Sequence, residues 1–311
     1  MKSPLLLALA ASALLPGIPA QGAARPRLLG LAQVAFYAHD VGASRKFYGG
    51  FLGYEEAFTL SQPDGALRAA LFKIGDRQTI EIVPEKTPHS DRLAHISIET
   101  DDVEAMRLYL KSRGVRVPDR ATPGVVGTAY FQVADPDGHT VEFIEYGPGS
   151  GMARDTGRHL PGTRLSPHMS HAGIVVHDLA AAAAFYGDLL GCTETWRGSG
   201  NGKALSWVTF QLPDSEDWIE FMLFPKTPDL AALGVAHHFC LVVPDVAKAK
   251  EVLEARPLPP GARFPSGIAI GRNRKRQIRA FDPDGTRVEI MEPDTIDGKP
   301  APSSTAPPPA G

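Results

Sequence analysis

Between about residues 30 and 293 the chain repeats one pattern of apolar and polar positions four times. Each repeat opens on a short run of β-branched, aromatic or aliphatic residues: "VAFY" from Val34, "HISI" from His95, "GIVV" from Gly173 and "FCLVV" from Phe239. Short runs of this composition predict strands. An aspartate follows each run (Asp40, Asp102, Asp178 and Asp245), and behind it apolar residues return at helical spacing. A carboxylate there can accept from the free N–H groups of a first turn, so each aspartate is predicted to cap a helix. Asp40 to Tyr48 recurs as Asp178 to Tyr186, and Phe47 and Leu52 correspond to Phe185 and Leu190. These apolar positions are predicted to pack helix on sheet. The second and fourth repeats reach "DPDG" at 135–138 and 282–285, followed by "HTVEFIEY" and "TRVEIMEP". Asp, Pro and Gly favour tight turns, which predicts a hairpin at each. Every repeat thus reads strand, helix, then two or three strands.

Polar and Pro/Gly-rich stretches divide the chain around these repeats. "YGPGSGMARDTGRHLPGTRLSP" over 146–167 has no periodicity and reads as a linker at 148–167, between halves at 28–147 and 168–293. The segment 294–311, with "DGKPAPSSTAPPPAG" from Asp297, has too little apolar content to offset its ordering entropy and is expected to be a loose tail. At the other end, Lys2, an apolar run from Leu5 to Leu15, Pro16, Gly17 and Pro19, then small residues, reads as a secretory signal over 1–24. Cleavage after Ala20, Ala23 or Ala24 fits equally. The apolar run is too short for a lasting membrane anchor, so the mature protein is expected in the periplasm or outside the cell. Two cysteines, Cys192 and Cys240, are too few to staple a fold of this size and read as buried free thiols, although spacing does not settle whether they pair.

Composition adds little: 43% hydrophobic, 22% charged and a net charge of −3 describe an ordinary globular chain without the basic excess of a nucleic-acid binder. The one basic cluster, "GRNRKRQ" at 271–277, reads as a solvated hairpin. Arg272, Arg274, Lys275 and Arg276 remain as anchors for an anionic substrate.

Four units with a capped helix, "FY", "LG" and a "DPDG" hairpin resemble the vicinal oxygen chelate superfamily, which includes glyoxalases, bleomycin-resistance proteins and extradiol dioxygenases. The resemblance covers about residues 30–293. It implies an α+β fold of four βαβββ units forming two half-open barrels, with a divalent metal ion (Ni, Zn, Co, Mn or Fe) on the inner surface. Barrels in that superfamily form from adjacent or from exchanged units, and adjacent pairing is favoured here. Family ligands lie on the first and last strands of each unit. Carried over, they are His171, Glu220, His238 and Glu289 in the second half, and Gln33, Glu81, His95 and Glu142 in the first. Strand geometry supports the set. Glu220 faces away from its neighbours Ile219 and Phe221, and a carboxylate turned into a barrel needs a partner or a cation. The second set, with two imidazoles, is the stronger, and neutral Gln33 is the weakest donor. His159, His168 and His237 read as non-ligands.

Four protein ligands leave two of six positions on a first-row divalent ion, which suits one bidentate substrate. The resemblance then implies glyoxalase-like lyase or isomerase chemistry on a small molecule that chelates through vicinal oxygens, via an enediolate, with Glu289 or Glu220 as general base. Two other classes stay open: an extradiol-type ring-cleaving dioxygenase using iron at His171, His238 and Glu289, and a non-catalytic small-molecule binding protein of the bleomycin-resistance type.

Overall fold

The computed structural model describes residues 24–265 and 267–310. The signal read over 1–24 therefore lies, but for Ala24, outside the described residues. The first half contains β1 (Leu28–Ala38), β2 (Glu55–Ser61), β3 (Leu67–Gly75), β4 (Gln78–Pro84), β5 (Leu93–Thr100), β6 (Thr122–Pro123), β7 (Ala129–Ala134) and β8 (Thr140–Glu145). The second contains β9 (Met169–Val176), β10 (Thr193–Gly198), β11 (Trp207–Gln211), β12 (Trp218–Leu223), β13 (His238–Val242), β14 (Ala269–Ile270), β15 (Lys275–Phe281) and β16 (Arg287–Thr295). Each set forms one eight-stranded sheet, ordered β2-β3-β4-β1-β5-β8-β7-β6 and β10-β11-β12-β9-β13-β16-β15-β14. Adjacent units therefore share a sheet, joined by the antiparallel pairs β1–β5 and β9–β13. The fold is α+β, two glyoxalase-like half-barrels built from four βαβββ units.

The helices are α1 (Val41–Arg45), α2 (Val103–Ser112), α3 (Gly151–Arg154), α4 (Leu179–Ala182), α5 (Leu230–Ala236) and α6 (Val246–Glu254). The first and fourth run on as π-helical turns through Phe51 and Leu189. All four predicted aspartates cap: Asp40, Asp102, Asp178 and Asp245 accept backbone N–H bonds from Ala43, Ala105, Ala181 and Lys248. Such caps are each worth about 1 kcal/mol. Phe47, Leu52, Phe185 and Leu190 are buried in an apolar core that runs continuously through both halves. Phe36 and Phe239, 6.0 Å apart, and Phe51 and Phe264, 5.6 Å apart, join the halves across it.

The hairpin aspartates hold the seam. Asp135 and Asp282 each close their own turn by accepting backbone N–H bonds. Each also accepts a tyrosine hydroxyl from the opposite half, Tyr186 to Asp135 at 3.0 Å and Tyr48 to Asp282 at 2.9 Å. The cross-link is thus made twice, between the first and fourth units and between the second and third.

Three expectations need correction or refinement. The segment 148–167 is packed rather than a free linker: it carries α3, Met152 is buried, and the fully buried Lys73 ammonium donates to the carbonyls of Asp155 and Arg158 at 2.5 and 3.0 Å. The tail is also bound. Trp196 Nε1 donates to the Pro302 carbonyl at 3.0 Å, Ser304 N to Arg197 O at 2.9 Å, and Leu205 N to Pro307 O at 2.8 Å. Composition missed it because the strap's partners are backbone groups of the edge strand β10 and the loop after it, together with the Trp196 indole, which hold a proline-rich chain without needing apolar side chains from the tail. The basic hairpin forms between β14 and β15, but its cations divide between solvent and the interior, as described below. Cys192 and Cys240 are free and buried. Among the described residues no helix is long and apolar enough to cross a membrane.

Candidate metal centre

The register of the second sheet explains why its four candidate ligands converge. Across β12, β9, β13 and β16, Trp218, His171, Cys240 and Glu289 lie in one row, and Glu220, Gly173, His238 and Arg287 in the next. Residues paired this way share a face, so His171 and Glu289 alternate with Glu220 and His238 on the barrel's inner wall. One donor atom from each of the four lies within 4.8 Å of every other. His171 Nε2 is 3.2 Å from His238 Nε2 and 3.4 Å from Glu289 Oε2, and His238 Nε2 is 3.2 Å from Glu220 Oε2.

The surroundings orient these donors. His238 Nδ1 donates to the Ala236 carbonyl at 2.7 Å, which leaves Nε2 with its lone pair toward the cluster. A Cβ at Gly173 would overlap the His238 ring at Cε1 and Nδ1, so only glycine lets the imidazole lie flat over β9. Trp218 stacks on His171 at 4.8 Å. With its side-chain amide oriented to satisfy both neighbours, Gln277 donates to Glu289 Oε1 at 2.8 Å and accepts from Arg279 Nη2 at 2.9 Å. Burial and then the Arg287 charge push His238 down to about 4, which keeps it neutral near pH 7. Burial alone would raise both carboxylates. A hydrogen bond with His171 and the Arg287 charge hold Glu289 far below the usual range, and His238 and His171 hold Glu220 below it too. Two imidazoles and two carboxylates are the donor set of a divalent first-row ion. Arg287, whose Nη2 lies 2.9 and 2.8 Å from the ring nitrogens of His238, supplies the compensating positive charge in this structure. Arg287 also lines the cavity beside the cluster.

The first half brings its four candidates together differently. The Gln33 amide donates to Glu81 and, at 3.1 Å, to His95 Nε2, while Thr79 donates to its oxygen at 3.0 Å. Glu142 accepts from Ser97 at 2.9 Å and from Gln132 at 3.0 Å. His95 Nε2 is 3.6 Å from Glu81 and 3.8 Å from Glu142. Each polar group thus has a protein partner, and the atom Gln33 would offer a metal is already bonded. Burial raises the Glu81 carboxyl above its ordinary value. A small cavity of about 100 Å³ covers this cluster, with Arg68, Tyr146 and Met152 in its wall.

The three other histidines weighed as ligands lie elsewhere, each against a carboxylate: His159 by Glu55 at 2.7 Å, His168 by Asp217 at 2.9 Å and His237 by Asp91 at 2.8 Å. Sequence reasoning missed Gly173, Arg287 and Gln277, and did not place Cys240 on the floor of the second cluster. A glycine inside an otherwise unbroken apolar strand was the one signal available, since it often marks a close approach. Two cavities open on the cluster. One of about 270 Å³ is walled by Trp196, Trp207, Arg272, Arg279 and Arg287, and another of about 590 Å³ by Trp218, Lys275 and tail residues through Ala301. Glu220 lines both.

Comparisons with known proteins agree with this architecture. The Mn(II)-bound glyoxalase from Novosphingobium aromaticivorans superposes with a TM-score of 0.64 at 17% identity, over 92% of this chain and 89% of that one. The 2,3-dioxygenase LapB from Pseudomonas sp. KL28 gives 0.63 at 18% identity, over 89% and 97%. Homoprotocatechuate 2,3-dioxygenase from Arthrobacter globiformis gives 0.64 at 17%, over 93% and 85%. An uncharacterized Bacillus subtilis (strain 168) protein, YwbC, is 26% identical over 112 residues, 34% of this chain and 89% of that protein. At these identities the structures speak for the fold. The family model for the Glyoxalase/Bleomycin resistance protein/Dioxygenase superfamily matches residues 30–143 and again 168–290, and the chain belongs to that superfamily.

Proposed function

We propose that the second half is a metal-dependent lyase or isomerase site, with His171, Glu220, His238 and Glu289 as ligands, acting on a small molecule that presents two neighbouring oxygens. When bound, the metal supplies Lewis-acid polarisation of those oxygens. Glu220 is the proton carrier. Among the described residues no hydrogen-bond donor faces its Oε1, and its side chain lines both cavities, whereas Glu289 Oε1 is held by Gln277. That contrast, Glu289 with Oε1 anchored and Glu220 with Oε1 open, carries the reading. An ionised carboxylate with one open oxygen beside a polarised carbonyl can take the proton from the adjacent carbon and return it to the next, leaving an enediolate between the two transfers. Trp196, Trp207 and Trp218 give the cavities their apolar walls. The four-donor set leaves room for a bidentate substrate and not for dioxygen as well, which favours this chemistry over ring cleavage. We also assign the work to the exported chain after removal of the N-terminal 1–24 segment.

The test is deuterium exchange. Protein loaded separately with Ni, Zn, Co, Mn or Fe is incubated in D2O with small α-hydroxycarbonyl compounds, and exchange at the carbon beside the carbonyl is followed by NMR. Exchange should require metal and fall roughly 10²- to 10⁴-fold in Glu220→Gln at full metal loading. Unchanged exchange in that variant, or in metal-free protein, would defeat the reading.

A further inference from the structure

The hairpin "GRNRKRQ" sorts its cations. Arg274 pairs with Asp297 at 2.7 Å and Arg276 with Glu292 at 3.5 Å, both on the outside. Arg272, in the turn, instead faces the cavity of about 270 Å³ beside the donor cluster, together with Arg279 from β15 and Arg287 from β16. Their partners are neutral. Arg272 Nη2 donates to the Gly200 carbonyl at 2.9 Å, Arg279 to the Gln277 amide oxygen, and Arg287 lies against His238. The Nε of Arg287 is buried without a partner, and among the described residues no carboxylate lies within ion-pair distance of any of the three. The only acids in this wall are Glu220 and Glu289, whose two charges a divalent ion would neutralise. Three guanidinium groups then share a small, half-enclosed space with no counter-charge. Arg287 is buried there, while Arg272 and Arg279 stand exposed at the cavity mouth, and a buried charge without a counter-charge is unfavourable unless a ligand of the other sign joins it.

We propose that the substrate carries, besides the two oxygens it offers the metal, a carboxylate held by Arg272, Arg279 and Arg287. This deepens the metal-dependent reading and rests on it. The planar fork of arginine matches a carboxylate bidentately. A volume of about 270 Å³, narrowed by Trp196, Trp207 and Ile270, suits the carboxylate-bearing arm of a small organic acid.

Two probes of equal carbon length separate the charge from the chelation: succinate monohydroxamate and butyrohydroxamate both chelate through vicinal oxygens, and only the first has a distal carboxylate. Titrated by calorimetry into zinc-loaded full-length protein, the succinate probe should bind on the order of tenfold or more tightly. The advantage should collapse in the Arg272→Gln, Arg279→Gln double variant while butyrohydroxamate affinity stays the same. Equal binding of the two probes by the wild type overturns the proposal and leaves the metal reading standing. So does an advantage that survives in the double variant. If neither probe binds, the proposal falls, and a zinc titration of the same sample tells whether the metal reading falls with it. Both arginines are exposed, and the wild-type comparison does not depend on the variant folding.

Discussion

The two half-barrels share strand order, caps and hairpins, yet their inner walls do different things, and the difference comes down to a few paired positions. Gln33 stands where the second half has His171, and Ala35, between Glu81 and His95, stands where Gly173 lies between Glu220 and His238. Ser97, which donates to Glu142, replaces Cys240. The first wall therefore closes on itself through an amide and a hydroxyl, whereas the second gathers four donors that lack enough protein partners. Burial shifts Glu81 upward, while imidazoles hold Glu220 and Glu289 down. One scaffold thus holds a self-satisfied polar cluster in one copy and a metal-ready one in the other. The residues that decide it are on the first strand of each half.

The largest expected effect is on metal stoichiometry. Elemental analysis and calorimetric titration should find one equivalent per chain. His171→Ala with His238→Ala should weaken it by roughly a thousandfold or more, since removing two of four donors forfeits a large share of the binding energy. Gln33→Ala with His95→Ala should leave the affinity within about twofold. Two equivalents of similar affinity, one lost in the first-half variant, would erase the contrast between the walls.

A sharper version exchanges the deciding residues. Gly173→Ala puts a methyl into the His238 ring and should weaken metal binding by roughly 10- to 100-fold, the range for disturbing a ligand's support. Overpacking would add a stability loss of about 1–3 kcal/mol. The reverse exchange, Ala35→Gly with Gln33→His, should give the first half a measurable second equivalent. If it gains none, the strand-one residues are not sufficient and Ser97 or the missing counterpart of Arg287 must also matter.

Much of this was legible in the chain itself. The repeats, four capping aspartates, the hairpin turns and the membership of both four-residue clusters follow from period, turn chemistry and resemblance. Local sequence carries the repeats, caps and turns because each depends on residues a few positions apart, whereas the cluster members, tens of residues apart, came through the resemblance. What stayed hidden depends on register across strands far apart in sequence. That Gly173 makes space for His238, 65 residues later, and that Arg287 faces the same ring are statements about neighbouring rows of a sheet. The tail misled for a related reason: its composition lacks apolar driving force, but its hydrogen-bond partners on β10 lie about a hundred residues upstream.

Where the halves agree, the seam gives the smallest prediction and a control for the rest. Asp282 is fully buried, and burial raises its carboxyl to about 6 against the opposing pull of the Thr286 N–H and the Tyr48 hydroxyl. An unfolded aspartate titrates near 3.9, so between about pH 4 and 6 the folded chain holds more of this proton than the unfolded one. Stability must then fall as pH rises through that window and level off above it. Asp282→Asn keeps an oxygen for the Asp284 and Thr286 N–H groups, lets the Tyr48 hydroxyl turn to accept, and removes the titration. Urea unfolding of wild type and variant across pH 4 to 6.5 should show their difference shifting toward the variant by about 2 kcal/mol. Metal affinity at the second cluster should not change, because the seam lies on the helix side of the sheet. A difference that stays flat with pH would mean that Asp282 is ionised throughout, with Tyr48 donating to a charged carboxylate and tying the two halves more strongly than a neutral pair would.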